Sequence, residues 1–288
     1  MELFVQLLIR GLITGSLYAL LGVSWGIIYN TTRTFHFAHG FVFTLASYMI
    51  LLPVGLSLPL FPSLLIGLIV ATVVGCAIEL FVYLPLRQKN ASQLAIFLTA
   101  MGVMIAGQSL ILFLFGPDSR PLAGFTESVI NMGPITFTSI DLLTVVTTLI
   151  IIALLFVFLG HTKTGIMIRA VSSNPEKAIF IGIDSRKVFI LVFGIGSFLA
   201  AIAAFLITLD KPANPNIGIS AMLISFITVF LGGVGSLPGT VLGGIILGVA
   251  ESLVIMILPT EYKVIVTFLI LFLVILFKPE GLMGKKTT

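Results

Sequence analysis

The sequence predicts an all-α polytopic membrane protein, a helical bundle of about eight or nine membrane spans. Hydrophobic residues make up 58% of the 288 residues and charged residues only 9%, with a mean hydropathy of +1.23. A soluble domain carries roughly 25% charged residues. Long apolar stretches also recur from one end of the chain to the other, and the Lys and Arg residues lie mainly between them. Because no polar stretch is long enough for a soluble domain, we expect one transmembrane domain over 1–288.

Nine segments approach the length of about 20 apolar residues that a transmembrane helix needs. The predicted spans are 4–29, 37–53, 61–84, 93–115, 140–160, 188–209, 219–234, 239–258 and 263–278. The segments 37–53 and 219–234 are short. Eight spans with one re-entrant segment are therefore an alternative to nine.

The basic residues near the span ends predict the orientation, because cytoplasmic connections carry an excess of Lys and Arg. Three regions are basic: 85–92, 161–187 and the tail with Lys278, Lys285 and Lys286. Two connections carry a single basic residue each: 116–139 with Arg120 and 210–218 with Lys211. Nine spans satisfy all of these placements if the N-terminus is outside and the C-terminus is in the cytoplasm.

A weak internal repeat links the two halves of the chain. The first span is followed by the polar break 30–33, a glycine at position 40 and a short apolar helix, and the sixth span by 210–212, a glycine at 218 and another short helix. Five spans separate the copies, an odd number, which predicts an inverted repeat of the kind found in many transporters. The repeat halves would be 1–160 and 188–288, joined by a cytoplasmic coupling loop, 161–187. Chance is the alternative, since Gly and Pro are common in membrane helices.

Broken helices mark the substrate path in such transporters. The predicted pathway residues are His36, His39, Gly40, Asn216 and Gly218. We expect the two breaks to converge near the bilayer midplane, where the unpaired backbone N–H groups of a helix start can meet a polar solute. Ordinary loops at opposite membrane faces are the alternative. The two histidines lack partner ligands for a metal, since only His161 and Cys76 remain as further His or Cys residues.

A glycine-rich tract lies where the predicted span 219–234 ends and the span 239–258 begins. Gly232, Gly235, Gly239 and Gly243 belong to it, and the last three lie four residues apart. Gly11 and Gly15 in the first span have the same four-residue spacing. Small residues on one helix face let a neighbouring helix approach closely. We therefore interpret the tract as helix packing, with backbone lining a translocation path as the alternative.

The 161–187 connection contains a helix-start signature. Asn174 can cap, Pro175 suits the first helical position, Glu176 favours the positive end of the helix dipole, and Gly182 fits a helix stop. Ala178, Ile179 and Phe180 give this polar helix a small apolar surface. We predict a helix that docks a cytoplasmic partner. A helix lying on the lipid headgroups is the alternative.

The remaining charges exclude several function classes. Glu79, Glu251 and Arg10 lie off-centre in their spans, which favours pairing or snorkelling over a functional role. No chain of buried carboxylates supports a proton- or sodium-driven carrier, and the basic residues flank spans instead of forming a nucleic-acid surface. The tail fails the phosphate-loop pattern at Pro279 and Lys286. We expect neither ATP hydrolysis, nor a cofactor, nor an enzyme active site in this chain.

Several short motifs together resemble the branched-chain amino-acid ABC-transporter permeases, over essentially the whole chain. They are Gly15–Leu20, Phe37–Gly40, Arg169–Val171, Asn174–Ala178, Gly182-Ile183, Leu231–Ser236, Gly239, Gly243-Gly244 and Lys278–Leu282. Within the matches, His36 replaces the usual Asn and Phe41 the usual acidic residue. The length and abrupt C-terminus are similar to the shorter of the two permease subunits in these systems.

The resemblance implies a multi-pass permease of a bacterial-type inner membrane, surrounded by lipid. It would pair with a second permease subunit, two cytoplasmic ATPase subunits that hold ATP and Mg, and an extracytoplasmic solute-binding protein. Arg169, Asn174, Pro175, Glu176, Ala178 and Gly182 would form the ATPase-coupling segment. Branched-chain amino acids are the expected solutes, with urea or short amides as alternatives. A secondary transporter or channel working alone remains the alternative class, while an intramembrane enzyme lacks any catalytic cluster.

Overall fold

The computed structural model describes residues 1–122, 128–133, 135–259 and 262–284. The structure is 78% helical, which confirms the predicted all-α polytopic class. Lys285 and Lys286 of the predicted cytoplasmic tail lie outside the described residues, as do 123–127 and 134 of the predicted 116–139 connection.

Within the described residues, six helices are long and apolar enough to cross a membrane. They are α1 (Glu2–Thr32), the continuous helix Leu60–Gln88, α5 (Gln93–Phe115), α6 (Ser139–His161), α9 (Ser185–Asp210) and α11 (Leu237–Val254). Three shorter apolar helices are α2 (His39–Gly55), α10 (Ile217–Gly232) and α12 (Lys263–Phe277). Each of these helices corresponds to one predicted span, and α2 and α10 are the two segments that were predicted to be short.

Two parts of the chain consist of several shorter helical elements. The continuous helix Leu60–Gln88 consists of α3 (Leu60–Ile78), a π-helical turn (Glu79–Tyr83) and α4 (Leu84–Gln88). The predicted 161–187 connection holds α7 (Lys163–Ser173) and α8 (Pro175–Phe180). The helix predicted from its start signature is therefore present.

A short hairpin, which the sequence did not predict, precedes α6. Strands β1 (Val129–Met132) and β2 (Ile135–Thr138) pair antiparallel. The Gln6 side chain of α1 donates to the Thr136 carbonyl at 2.7 Å and accepts from the Thr136 amide at 2.9 Å. This two-way bond ties the hairpin to the start of α1.

The chain forms two compact units, each built from segments far apart in sequence. The first comprises Met1–Gly26, Thr126–Leu154 and Leu223–Thr288, and the second comprises Ile27–Phe125 and Leu155–Met222. The units interleave along the chain. The repeat halves 1–160 and 188–288 stay a prediction. The order of long helix, non-helical connection and short helix does occur twice, and the inverted repeat itself stays a prediction.

Glycines pack α1 against α11 in the first unit. A Cβ on Gly11 would lie 2.7 Å from the Val249 Cα, and a Cβ on Gly15 would lie 2.8 Å from the Ile245 Cα. Gly248 faces Gly15 in return. Backbones this close leave no room for a larger residue, so the small-residue spacing does mark a helix contact.

The glycine-rich tract has two roles instead of one. Gly232, Gly239 and Gly243 bring the end of α10 against the start of α11, and a Cβ on Gly243 would lie 2.7 Å from the Thr228 carbonyl oxygen. The predicted packing role of Gly235 is wrong: a Cβ there would meet no atom within 4 Å. Its φ of +90° places it in the left-handed region that favours glycine, so Gly235 serves the turn between the helices.

The carboxylate of Glu251 in α11 is paired, which is one of the two arrangements, pairing or snorkelling, that its off-centre position favoured. The Tyr18 hydroxyl donates to it at 2.7 Å, and the Thr267 hydroxyl also bonds to it. These hydroxyls satisfy a buried acid inside the first unit. Arg10, the predicted snorkelling residue, is exposed.

Candidate functional site

The first break spans 33–38 and not the predicted 30–33, because α1 continues to Thr32. Arg33 has a φ of +55°, in the left-handed region that commonly ends helices. After the break, the amides of His39 and Gly40 donate to carbonyls three residues earlier, at 3.2 and 3.1 Å. Helix α2 therefore begins with a tight turn and no side-chain cap.

The second break, 211–216, is set by prolines and an asparagine turn. Pro212 and Pro215 lack the backbone N–H that would continue a helix. The Asn214 side-chain oxygen accepts from the Asn216 amide at 3.0 Å, which reverses the chain just before α10 begins at Ile217.

The two breaks meet within the second compact unit. The Gly218 amide donates to the Thr44 hydroxyl oxygen at 3.1 Å, and that hydroxyl donates to the Gly40 carbonyl at 3.0 Å. A Cβ on Gly40 would lie 2.7 Å from the Gly218 carbonyl oxygen, and a Cβ on Gly218 would overlap the Gly40 carbonyl. Glycine at both positions is what lets the first turns of α2 and α10 touch. We call this contact, formed by Gly40, Thr44 and Gly218, the break contact.

The two histidines of the first break form a buried cluster beside the break contact. His36 and His39 are both fully buried. The His36 Nδ1 lies 3.0 Å from the Tyr83 hydroxyl, and its ring packs edge-on against Phe193 and His39 at 4.8 and 5.6 Å between centroids. Among the described residues, no set of three or more His, Cys, Asp or Glu side chains could hold a metal ion.

An ion pair and a π-helical turn support Tyr83. The Glu79 carboxylate accepts two hydrogen bonds from the Arg87 guanidinium, both at 2.6 Å, and Glu79 is fully buried. The guanidinium also lies 4.8 Å from the centroid of the Phe189 ring. Single π-helical turns are rare and often occur at functional sites. Here the turn Glu79–Tyr83 presents the tyrosine to His36. Of the two arrangements that the sequence favoured for Glu79, pairing and snorkelling, the structure shows pairing.

The predicted pathway residues have different environments. Four of them, His36, His39, Gly40 and Gly218, are buried where the breaks meet, whereas Asn216 is exposed. The two breaks therefore meet, as expected, while their position near the bilayer midplane and their role in transport stay predictions.

The expectation that the starts of α2 and α10 carry free backbone N–H groups is wrong for five of their amides. The amides of His39, Gly40, Ile217, Gly218 and Ile219 all donate to acceptors within the protein. Tight turns supply most of these acceptors, and Thr44 supplies the acceptor for Gly218. In this conformation all five amides are therefore satisfied within the protein.

The predicted coupling segment has the capped structure that its sequence implies. The Asn174 side-chain oxygen accepts from the Lys177 amide at 2.9 Å, and Pro175 occupies the first turn of α8. Gly182 follows the helix with a φ of +84°. Arg169 and Glu176 are exposed on the same connection.

Ala178 does not belong to the exposed apolar face on which the sequence placed it. It is 2% exposed, whereas Ile179, Phe180 and Ile181 are 60%, 89% and 72% exposed. The Ser185 hydroxyl donates to the Pro175 carbonyl at 3.4 Å, so one side of α8 packs against the start of α9. Ala178 lies on that inner side, and the apolar residues after it form the outer side.

The sequence reasoning missed Thr44, Tyr83 and Arg87. Thr44 lies one helical turn after Gly40, so its position on the same helix face could have indicated that its hydroxyl lies beside the first break. Tyr83 and Arg87 carried no local signal, because their partners are brought near by the tertiary fold or by an irregular turn.

Comparison with known proteins gives a consistent result. A family model described as the permease component of branched-chain amino acid transport systems matches residues 7–275. The high-affinity branched-chain amino acid permease BraD of Pseudomonas aeruginosa is 32% identical, over 98% of this chain and 96% of that protein. LivH of Escherichia coli is 30% identical over 98% and 96%, and the probable LivH of Methanocaldococcus jannaschii is 27% identical over 98% and 94%.

Proposed function

Because this chain belongs to the family of branched-chain amino acid transport permeases, we propose that it is the membrane subunit of an ATP-driven importer of branched-chain amino acids. It is a multi-pass membrane protein and a transport component. The observation that carries the proposal is the break contact, where two helix starts meet through glycine backbone inside one compact unit.

In this proposal the break contact is the closed point of the solute pathway. A single hydrogen bond such as that between Gly218 and Thr44 contributes only about 0.5–1.5 kcal/mol net. A movement driven by ATP hydrolysis can therefore separate the first turns of α2 and α10. Separation frees the Gly218 amide and the Thr44 hydroxyl, which then meet the carboxylate of a passing amino acid without any charged side chain at the contact.

The coupling segment is bonded to the helix that leads into the first break. The Ser172 hydroxyl of α7 donates to the Asn30 carbonyl of α1 at 2.8 Å, three residues before Arg33. Displacement of α7 and α8 would therefore pull on the end of α1 and on the 33–38 break. This link supports a route by which ATPase movement reaches the break contact.

The chain needs partners for this function. Two cytoplasmic ATPase subunits bind ATP with Mg and hydrolyse it, because the sequence of this chain holds no phosphate loop. A second permease subunit completes the pathway, an extracytoplasmic binding protein delivers the solute, and lipid covers exposed apolar residues such as Phe113 and Leu149. The exposed residues Ile179, Phe180 and Ile181 form the ATPase-docking face.

Replacing Phe180 by Asp should abolish solute uptake while the subunit still inserts in the membrane. The new charge would lie on the docking face and lose its hydration in the complex. We expect the ATPase subunits to stop co-purifying with the variant. Phe180→Leu, which keeps an apolar side chain, should retain both association and uptake. Normal ATPase association in Phe180→Asp would contradict the docking role.

The predicted orientation has a direct test in cysteine labelling. Lys187 and Lys211 have side chains that are 84% and 73% exposed, so a cysteine at either position can be reached. With Cys76 replaced by Ala, a membrane-impermeant maleimide should label Lys187→Cys only in inverted vesicles and Lys211→Cys only in right-side-out vesicles. Labelling of both from one side would overturn the orientation.

Reconstitution distinguishes the proposed importer from a transporter or channel that works alone. The tagged chain, purified with its ATPase partners and second permease, should drive leucine accumulation in proteoliposomes when ATP and the binding protein are present. Excess valine or isoleucine should compete, whereas urea and acetamide should not. Leucine movement by this chain alone, without ATP, would support the stand-alone alternative and refute the importer.

A further inference from the structure

A small cavity lies at the far end of α2 from the break contact. Its volume is about 300 Å³, and it is lined by Tyr48, Leu51, Leu52, Gly55, Leu56, Phe115, Arg120 and Pro121. All of these residues belong to the second compact unit. The side chains of these residues are apolar except for those of Tyr48 and Arg120. Ligand pockets span roughly 300–1,000 Å³, so this volume suits a small ligand.

Hydrogen bonds of its backbone and its side chain hold Arg120 in place at the cavity. Its amide donates to the Ala213 carbonyl at 2.8 Å, and its carbonyl accepts from the Ala213 amide at 3.0 Å. One guanidinium nitrogen donates to the Phe115 carbonyl at 2.6 Å. No carboxylate of the described residues forms a salt bridge with Arg120. An anchored cation without a counter-charge suits the binding of an anionic group.

Tyr48 adds a second polar group to the wall. Its side chain is 1% exposed and its ring packs against Phe115 at 4.7 Å between centroids. The hydroxyl has no hydrogen-bond partner among the described residues. A buried hydroxyl without a partner is unusual, because burial removes the hydrogen bonds that it makes to water.

We propose that this cavity binds the incoming amino acid before it reaches the break contact. Arg120 pairs with the carboxylate, the Tyr48 hydroxyl accepts from the ammonium group, and Leu51, Leu52 and Leu56 cover the branched aliphatic side chain. The proposal rests on the importer function and on the predicted orientation, which places the 116–139 connection on the extracytoplasmic side of the membrane. It adds to that function a specificity site within the permease.

The position of Ala213 supports a route from this cavity to the break contact. Ala213 pairs with Arg120, and the chain continues from Ala213 through the second break to Gly218. Gly218 bonds to Thr44, which belongs to the same helix as Tyr48. The cavity and the break contact therefore lie toward opposite ends of α2, and the 211–216 segment connects the partner of Arg120 to Gly218.

Protection of a cysteine at the cavity rim tests the proposal. Leu56 is 72% exposed, so Leu56→Cys in a Cys76→Ala background can be alkylated in the assembled transporter in lipid nanodiscs without the binding protein. L-leucine should slow alkylation, and leucinol, which lacks the carboxylate, should not. Arg120→Gln should weaken protection by L-leucine about tenfold or more, as expected for the loss of a charge-assisted pair. Lys89→Gln removes an exposed cation from the 85–92 connection, away from the cavity, and should leave protection unchanged.

Two further protection measurements, one with a second variant and one with a second ligand, complete the test. Tyr48→Phe should also weaken protection, and it tests the site independently if Arg120→Gln fails to assemble. Octanoate carries an aliphatic chain and a carboxylate without an ammonium group, so protection by octanoate but not L-leucine would assign the cavity to a fatty acid and overturn the proposal. ATP-driven leucine uptake is measured on the same unmutated transporter. Normal uptake without protection refutes this site alone, whereas absent uptake refutes the importer function.

Discussion

Replacing Gly218 by Leu is expected to reduce solute uptake to background while the subunit remains in the membrane. A side chain at Gly218 would collide with the Gly40 carbonyl and the Thr44 hydroxyl, so the first turns of α2 and α10 cannot keep their contact. Overpacking of this kind destabilises a protein by about 1–3 kcal/mol. In addition, the new side chain would occupy the proposed pathway itself. Uptake of radiolabelled leucine per amount of membrane-inserted subunit measures the effect.

Gly102 provides a matched control for Gly218. It belongs to α5 in the same compact unit, and a Cβ there would meet no atom within 4 Å. We expect Gly102→Leu to transport normally. Retained uptake in Gly218→Leu, with the protein correctly assembled, would show that the break contact does not lie on the solute pathway.

Breaking the ion pair between Glu79 and Arg87 is expected to destabilise the subunit strongly. Arg87→Gln would leave a fully buried carboxylate without its two hydrogen bonds. Removing one partner of a buried pair typically costs about 3–5 kcal/mol, because the other charge stays buried and uncompensated. The thermal unfolding midpoint in detergent should fall clearly for Arg87→Gln and for Glu79→Gln.

The double variant separates the ion pair from simple loss of packing. Replacing both Glu79 and Arg87 by Leu removes both charges, so it should be more stable than either single variant. The exposed pair of Asp184 and Lys187, 3.9 Å apart, serves as a control, and Lys187→Ala should leave the midpoint unchanged. A double variant less stable than both single variants would contradict the interpretation of Glu79 and Arg87 as a compensated pair.

Loss of the ion pair should also weaken transport through the His36 contact. The π-helical turn between Glu79 and Tyr83 presents the tyrosine hydroxyl 3.0 Å from His36, which belongs to the first break. If the turn relaxes, that contact is lost and the start of α2 is held less firmly. Uptake measured below the unfolding midpoint distinguishes this effect from unfolding.

Much of the fold was determined by patterns of neighbouring residues. The apolar segment 93–115 corresponds to α5, Gln93–Phe115, because hydropathy and length alone decide what can cross a bilayer. Asn174 and Pro175 predicted the start of α8, because capping involves only the next few residues. The two short helices were also visible, and Pro212 marked the break before the second one, since proline acts on the local backbone.

Only the tertiary structure decided which distant residues meet. The bond from Gly218 to Thr44 joins residues 174 positions apart, and no local pattern specifies such a contact. Packing also decided that Ala178 faces inward while Phe180 faces outward, since both are apolar residues of one short helix. The pairing of Arg120 with Ala213 likewise depends on two connections from different parts of the chain. Hydropathy determines which segments enter the membrane, but the close fit of backbones and side chains determines which of them touch.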